Sequence, residues 1–252
     1  MKCPYCESDR DYSNLGNHWR QSCGYPEPSN AEVFDGLLMG DGCLKHTHNS
    51  DDRLGNQSIE VVSINKDFIY YLYERYSPFF TEPKIRRTAE ESAEQAIESD
   101  IISSPKDSTF RTQYRIVSRA MPFFNRYDSW KQSGNKKWPD NIEFTPTRLK
   151  YLYIADGGLS WNKESKSSRS QITSSNEPRQ LHRISDKLNN IGIDCSIYED
   201  RIMMQPSSTE GFLDYLGEPV PGFEYKWENT NLDKYEKLYQ NIYYREGSTY
   251  TV

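Results

Sequence analysis

Two apolar runs in this chain end in the same way. VFDGLLMGDGCL, from Val33 to Leu44, closes on Asp41-Gly42, and LKYLYIADGGL, from Leu149 to Leu159, closes on Asp156-Gly157, about 115 residues later. Gly36 and Gly40 stand four apart, so a helix would place them on one face, a turn from each other. Tyr151 and Ala155 hold the matching positions of the second run. Small residues let two helix backbones approach closely, and side-by-side packing would bring the two C-terminal ends, with Asp41 and Asp156, together. Two carboxylates beside two partly negative helix ends repel. Divalent cations remove that repulsion, and Mg²⁺ suits oxygen ligands with open positions for water and phosphate. The glycine after each acid permits a sharp exit from the helix. Either Asp-Gly alone reads as an ordinary turn. The pair, with matching faces and the same elements downstream, reads as a built site.

The spacing also sets the organisation. It is too long for a solenoid repeat of ~20–50 residues and suits two half-domains. The first half reads as a helix over 31–40, strands over 43–48 and 57–64, a helix over 66–76, strands over 84–88 and 110–118, and a helix over 120–130. Phe68, Ile69, Leu72 and Tyr76 give the middle helix its apolar spacing. The second half repeats the order: helix 146–155, strands 158–162 and 169–174, helix 177–191, strands 194–198 and 201–205, helix 208–216. Asn176 caps the start of the long helix and Gly192 ends it. Both halves are αββαββα, and the fold class is α+β. The expected domains are 1–28, a zinc finger and linker; 29–145, the first half; 146–230, the second half; and 231–252, a helical tail. Residues 89–108, TAEESAEQAIESDIISSPKD, have no counterpart in the second half and read as an acidic, solvated insertion, helical or disordered.

Cysteine use marks out the first segment. Of five cysteines, Cys3 and Cys6 form a C-x2-C pair, and His18 with Cys23 an H-x4-C pair. That is a ligand set for structural Zn²⁺. An odd cysteine count argues against a disulfide framework. No apolar run approaches the roughly 18 residues of a membrane span, and MKCPYC is not a signal sequence. The expectation is an intracellular, cytoplasmic protein with no membrane partner. The formal net charge of -6 is unusual for a nucleic-acid binder, but part of it is gathered in Glu90, Glu91, Glu94, Glu98 and Asp100. There is no Gly-rich phosphate loop, no nucleophilic-serine motif and no H-E-x-x-H pair.

FDGLLMGDG (Phe34 to Gly42) and LKYLYIADG (Leu149 to Gly157) resemble the paired motifs of LAGLIDADG homing endonucleases in their single-chain form. The likeness covers roughly residues 30 to 230. Tyr151 departs from the motif, which has a small residue there; Ala155 keeps the second small position. The resemblance implies a saddle-shaped antiparallel sheet over double-stranded DNA and a monomer. It also implies metal-dependent cutting of both strands at a long, imperfectly palindromic site, leaving 3′ overhangs. Asp41 and Asp156, with Gly40 and Ala155, would hold about two or three Mg²⁺ ions. Lys137 and Lys226, in GNKKWP and GFEYKW, would stabilise phosphate charge, and Gln57 and Gln171 would hold water. Alternating polar residues fit a DNA-reading surface: Lys45, Thr47, Ser58 and Glu60; Lys84, Arg86 and Thr88; Arg111, Gln113 and Arg115; Ser160 and Asn162; Arg169, Gln171 and Thr173. The alternative function is an intron RNA maturase, or a zinc-bearing DNA-binding regulator that does not cut. His46, His48 and His182 carry no assigned role.

Overall fold

The computed structural model describes residues 11, 13, 18, 28–48, 54–77, 79–99, 110–132, 135–162, 167–174 and 178–228. In chain order the elements are α1 (Pro28–Met39), β1 (Cys43–His48), β2 (Leu54–Ser63), α2 (Lys66–Arg75), β3 (Lys84–Arg87), α3 (Ala89–Glu98) and β4 (Gln113–Val117). A 3-10 segment (Pro122–Trp130) and the short hairpin β5 (Lys131–Gln132) and β6 (Asn135–Lys136) follow. Then come α4 (Pro146–Asp156), β7 (Gly157–Asn162), β8 (Ser167–Thr173), α5 (Pro178–Asn190), β9 (Cys195–Tyr198), β10 (Arg201–Met204) and α6 (Thr209–Leu216). Two four-stranded antiparallel sheets result, ordered β1-β2-β4-β3 and β7-β8-β10-β9. The same strand order recurs in the two sheets. Among the described residues no helix is long and apolar enough to cross a membrane.

Capping sets the helix boundaries. The Thr145 hydroxyl accepts from the N–H of Arg148, and Pro146 opens α4 without a wasted donor. The Asn65 side chain starts α2 by accepting from the N–H of Phe68. Thr88 and Glu91 form a reciprocal capping box on α3. The region expected as a solvated insertion therefore begins as a capped helix. One face of that helix is buried, through Ala89, Ser92, Ala93 and Ala96, while Glu90, Glu91, Glu94 and Glu98 face water. Residues 100–109 and the tail 231–252 lie outside the described residues, as does Asn176. The expected helix over 120–130 is a tighter 3-10 segment, opened by Pro122.

The chain divides into two compact units, one from residues 1–60 and 118–218, the other from residues 61–117 and 219–252. In the second unit α2 and β4 bury Phe68, Ile69, Leu72, Tyr114 and Ile116, and Phe68 meets Phe223 edge-on at 5.2 Å. In the first unit α1 packs along α4, and Phe34 enters an aromatic cluster with Phe123, Phe124 and Tyr127. This division groups α1, β1 and residues 54–60 of β2 with the second sheet, and leaves α2, β3, α3 and β4 in the other unit. The pairing of α1 with α4 explains that grouping.

The pairing is close because of glycine. A Cβ at Gly36 would lie 2.7 Å from the Tyr151 Cβ and 2.8 Å from the Arg148 carbonyl oxygen, and one at Gly40 would collide with the Ala155 Cβ. Both obstacles at Gly36 are fixed to a backbone and cannot swing aside. At Gly36 the nearest atom of Tyr151 is its Cβ, which every residue but glycine would also place there. On an exposed helix, glycine to alanine stabilises by up to ~1 kcal/mol. Gly36→Ala reverses that sign here and costs about 1–3 kcal/mol by overpacking, read from the midpoint of urea unfolding.

Candidate active site

Asp41 follows the last turn of α1, and Asp156 is the last residue of α4. The Gly42 N–H bonds back to the Leu37 carbonyl at 2.8 Å, closing α1 directly after Asp41. The Gly157 N–H does the same for α4 through Tyr153, whose ring leaves no room for a side chain at 157. Each acid is thus held at a helix end by the glycine behind it. Both acids line one polar cleft of ≈ 150 Å³, with Met39, Gly40, Lys136, Trp138, Thr173 and Ser174. All of these residues belong to the first unit.

Lys136 donates its ammonium to the Gly40 carbonyl. Burial lowers its pKa from the ordinary lysine value, and the nearby Cys43, Asp156 and Asp41 pull it partly back. Lys137, the residue expected from the sequence, is exposed; its main-chain N–H bonds to Trp130 and leaves Lys136 to face the cleft. Lys226 is buried in the second unit, its ammonium 5.2 Å from the centre of the Phe223 ring.

Register places the other residues. Gly158 pairs with Gln171, Ser160 with Arg169 and Asn162 with Ser167, so these face away from the helix-covered side of their sheet, as does Thr173. On that other side Leu159, Ser168, Ser170, Ile172, Ile202 and Met204 are buried. In the first sheet Cys43 pairs with Glu60 and Lys45 with Ser58, and Lys45 reaches Glu60 at 3.5 Å. Thr47 lies in β1, and its side chain is outside the description. Four expectations need correction. Gln57 pairs with His46 on the opposite side, next to Ile59, and is buried to 1% exposure. By register it is Glu60, not Gln57, that corresponds to Gln171. A register shift between Ile85 and Arg87 sets Arg87, rather than Arg86, opposite Gln113, on the side where Lys84 faces Arg115. Thr88 is spent on capping α3. Arg111 precedes β4 and bonds to the Phe110 carbonyl.

The sequence reading missed four residues of the open face. Tyr198 pairs with Arg201 and Ser196 with Met203, and through β10 they continue the rows of Thr173 and Gln171. The alternation of Arg201-Ile202-Met203-Met204 carried that signal. It also missed Asp35, buried in the middle of α1. Asp35 accepts from Tyr127 at 2.7 Å and from the Arg148 Nε at 2.9 Å, so an ion pair pins α1 to α4. Burial, then the Asp35 carboxylate, raises the Tyr127 pKa well above its ordinary value.

Two carboxylates on converging helix ends match the motif pair that opened the sequence. The chain belongs to the LAGLIDADG DNA endonuclease family. The family match runs over residues 31–205. Membership makes the protein a sequence-specific DNA endonuclease, a metal-dependent phosphodiester hydrolase. Among solved structures it resembles the homing endonuclease I-WcaI bound to its DNA recognition sequence, with 14% identity and TM-score 0.65 over 87% of this chain and 94% of that one. The I-LtrWI LAGLIDADG homing endonuclease bound to target DNA is more distant, at 11% identity and TM-score 0.44, over 85% and 89%. No curated protein matches the chain.

The cleft suits a hard cation. Its donors are two carboxylates and the carbonyls of helix ends, all oxygen. Among the described residues no group of three or more His, Cys, Asp or Glu side chains is arranged for a metal. Of the proposed Zn²⁺ set, His18 is buried and Cys3, Cys6 and Cys23 lie outside the described residues.

Removing one member of the buried ion pair strands the other. Arg148→Met lowers stability by about 3–5 kcal/mol. Asp35→Asn added to it recovers part of the loss, because asparagine keeps an acceptor for Tyr127. Urea unfolding of the parent and the two variants checks both statements.

Proposed function

We propose that this protein cuts both strands of a long, imperfectly palindromic DNA site, using Asp41 and Asp156 as the metal-holding pair. The observation that supports it is the meeting of both acids in one cleft at the ends of α1 and α4. Asp41, Asp156 and the carbonyls of Gly40 and Ala155 would hold Mg²⁺. Bound there, Mg²⁺ would favour ionisation of a water and stabilise the leaving oxygen of a phosphodiester.

The chain's own residues do the rest. Lys136 presents a cation on the cleft wall, where it balances charge on the reacting phosphate; this is the part the sequence pattern had given to Lys137. Thr173 and Ser174 line the same wall and can donate hydroxyls to a phosphate oxygen. Gln171, one register step along β8, orients water near the cleft mouth. The open face of β7, β8, β9 and β10 supplies Ser160, Asn162, Arg169, Arg201 and Met203 to base edges. Arginine suits guanine in the major groove, and apolar side chains suit the thymine methyl. Lys45, Glu60, Lys84, Arg87, Gln113 and Arg115 play the same part on the other sheet.

The same reading takes the protein as a monomer, each half contributing one acid. It also takes Cys3, Cys6, His18 and Cys23 as a structural Zn²⁺ set, supported by their spacing.

Cleavage of a plasmid library in Mg²⁺ tests the assignment. Asp41→Asn and Asp156→Asn each lower cutting by about 10²–10³ or more, while affinity for a selected target duplex stays within about twofold of the parent. Undiminished cutting by both variants would remove the proposal. Tight binding of intron RNA without any DNA cutting would favour the maturase alternative.

A further inference from the structure

Lys136 is held in its place by more than its own bond. It ends β6, which pairs antiparallel with β5 so that Lys136 lies opposite Lys131. The next residue bonds its N–H to the Trp130 carbonyl at 2.7 Å, and Trp138 beyond it is buried. From this fixed base the ammonium reaches the Gly40 carbonyl, one residue before Asp41. That carbonyl ends α1 and is among the oxygens a divalent cation would take. The same cleft wall carries Asp41 and Asp156.

A cation at this spot does part of what a metal does. It complements the negative end of α1 and screens two converging carboxylates. It also competes with a metal for the same carbonyl and the same negative field. We propose that Lys136 is a tethered counter-ion: it holds the metal's place at the end of α1 in the DNA-free protein and transfers to substrate phosphate when the divalent cation binds. This rests on reading Asp41 and Asp156 as the metal-holding pair.

The arrangement has a direct consequence for binding. Without DNA, the lysine lowers metal affinity, because a bound ion must displace it or lie beside it. With DNA, the displaced ammonium gains a phosphate partner, so metal and substrate favour each other's binding. Charging the site fully only on its substrate would keep the hydrolytic metal from binding productively elsewhere.

Mg²⁺ titration of the DNA-free full chain, followed by melting temperature, tests this without any activity assay. Lys136→Met removes the charge. Lys136→Gln removes the charge but keeps a donor for the Gly40 carbonyl, and decides the matter if the Met variant does not fold. In both, the apparent Mg²⁺ dissociation constant falls by about tenfold, and the melting temperature in chelator drops because the carboxylates lose their screen. Lys66→Met, on α2 in the second unit, leaves both quantities at the parent's values. Unchanged or weaker Mg²⁺ affinity in Lys136→Gln overturns the counter-ion role. If Asp41→Asn and Asp156→Asn both respond to Mg²⁺ as the parent does, the underlying assignment of the acids fails instead, whatever the lysine variants show.

Discussion

The backbone-close contact between α1 and α4 is the constraint on which the site depends. Gly36 and Gly40 give the approach, and the Cβ atoms of Tyr151 and Ala155 fill it. A bulkier residue at either glycine would part the helices and move Asp41 away from Asp156. Packing alone would still leave the helices free to slide by a turn. The buried contact of Asp35 with Arg148 and Tyr127 opposes that sliding. Buried ion pairs add little net stability, since desolvation offsets their attraction, but they penalise every register that breaks them. The glycines therefore set how near the acids come, and Asp35 with Arg148 sets their alignment.

Much of this was legible in the sequence. The acids could be found because an acid-glycine pair at a helix end is a local pattern, and chance rarely repeats it about 115 residues later with the same elements downstream. The succession of helices and strands along the chain was equally local, since it followed from periodicity, alternation and turn residues. What escaped were features fixed by pairing between distant segments. Gln57 and Glu60 both sit in β2, and only the partnership of β1 with β2 decides which of them shares a side with Cys43. A one-residue error flips a side chain to the other side of the sheet. Lys136 and Lys137 pose the same problem at smaller scale: adjacent residues on extended chain point opposite ways. Asp35 was hidden because a single acid in an apolar run has no local partner, and Arg148 is 113 positions away.

The acidic balance of the chain is reconciled with a DNA substrate by where the acids lie. Along the open face of the second sheet, the described residues of the paired rows are Ser160, Asn162, Ser167, Arg169, Gln171, Thr173, Ser196, Tyr198, Arg201 and Met203, with no carboxylate among them. Carboxylates are instead gathered on surfaces such as the solvent side of α3, where Glu90, Glu91, Glu94 and Glu98 follow its capping box. A net charge of -6 describes the whole chain and not the face proposed to meet phosphate. Charges more than about 10 Å apart are largely screened at 0.1 M salt, so close to a duplex the charges on the face itself, Arg169 and Arg201 among them, decide the attraction. The acidic net charge does reduce the long-range pull on DNA, which acts before contact and is most sensitive to salt. Such a surface relies less on general attraction to any duplex and more on contacts made after docking. A nuclease that must ignore almost all DNA gains selectivity from that balance, because non-specific binding is mainly electrostatic while base contacts distinguish one site from another.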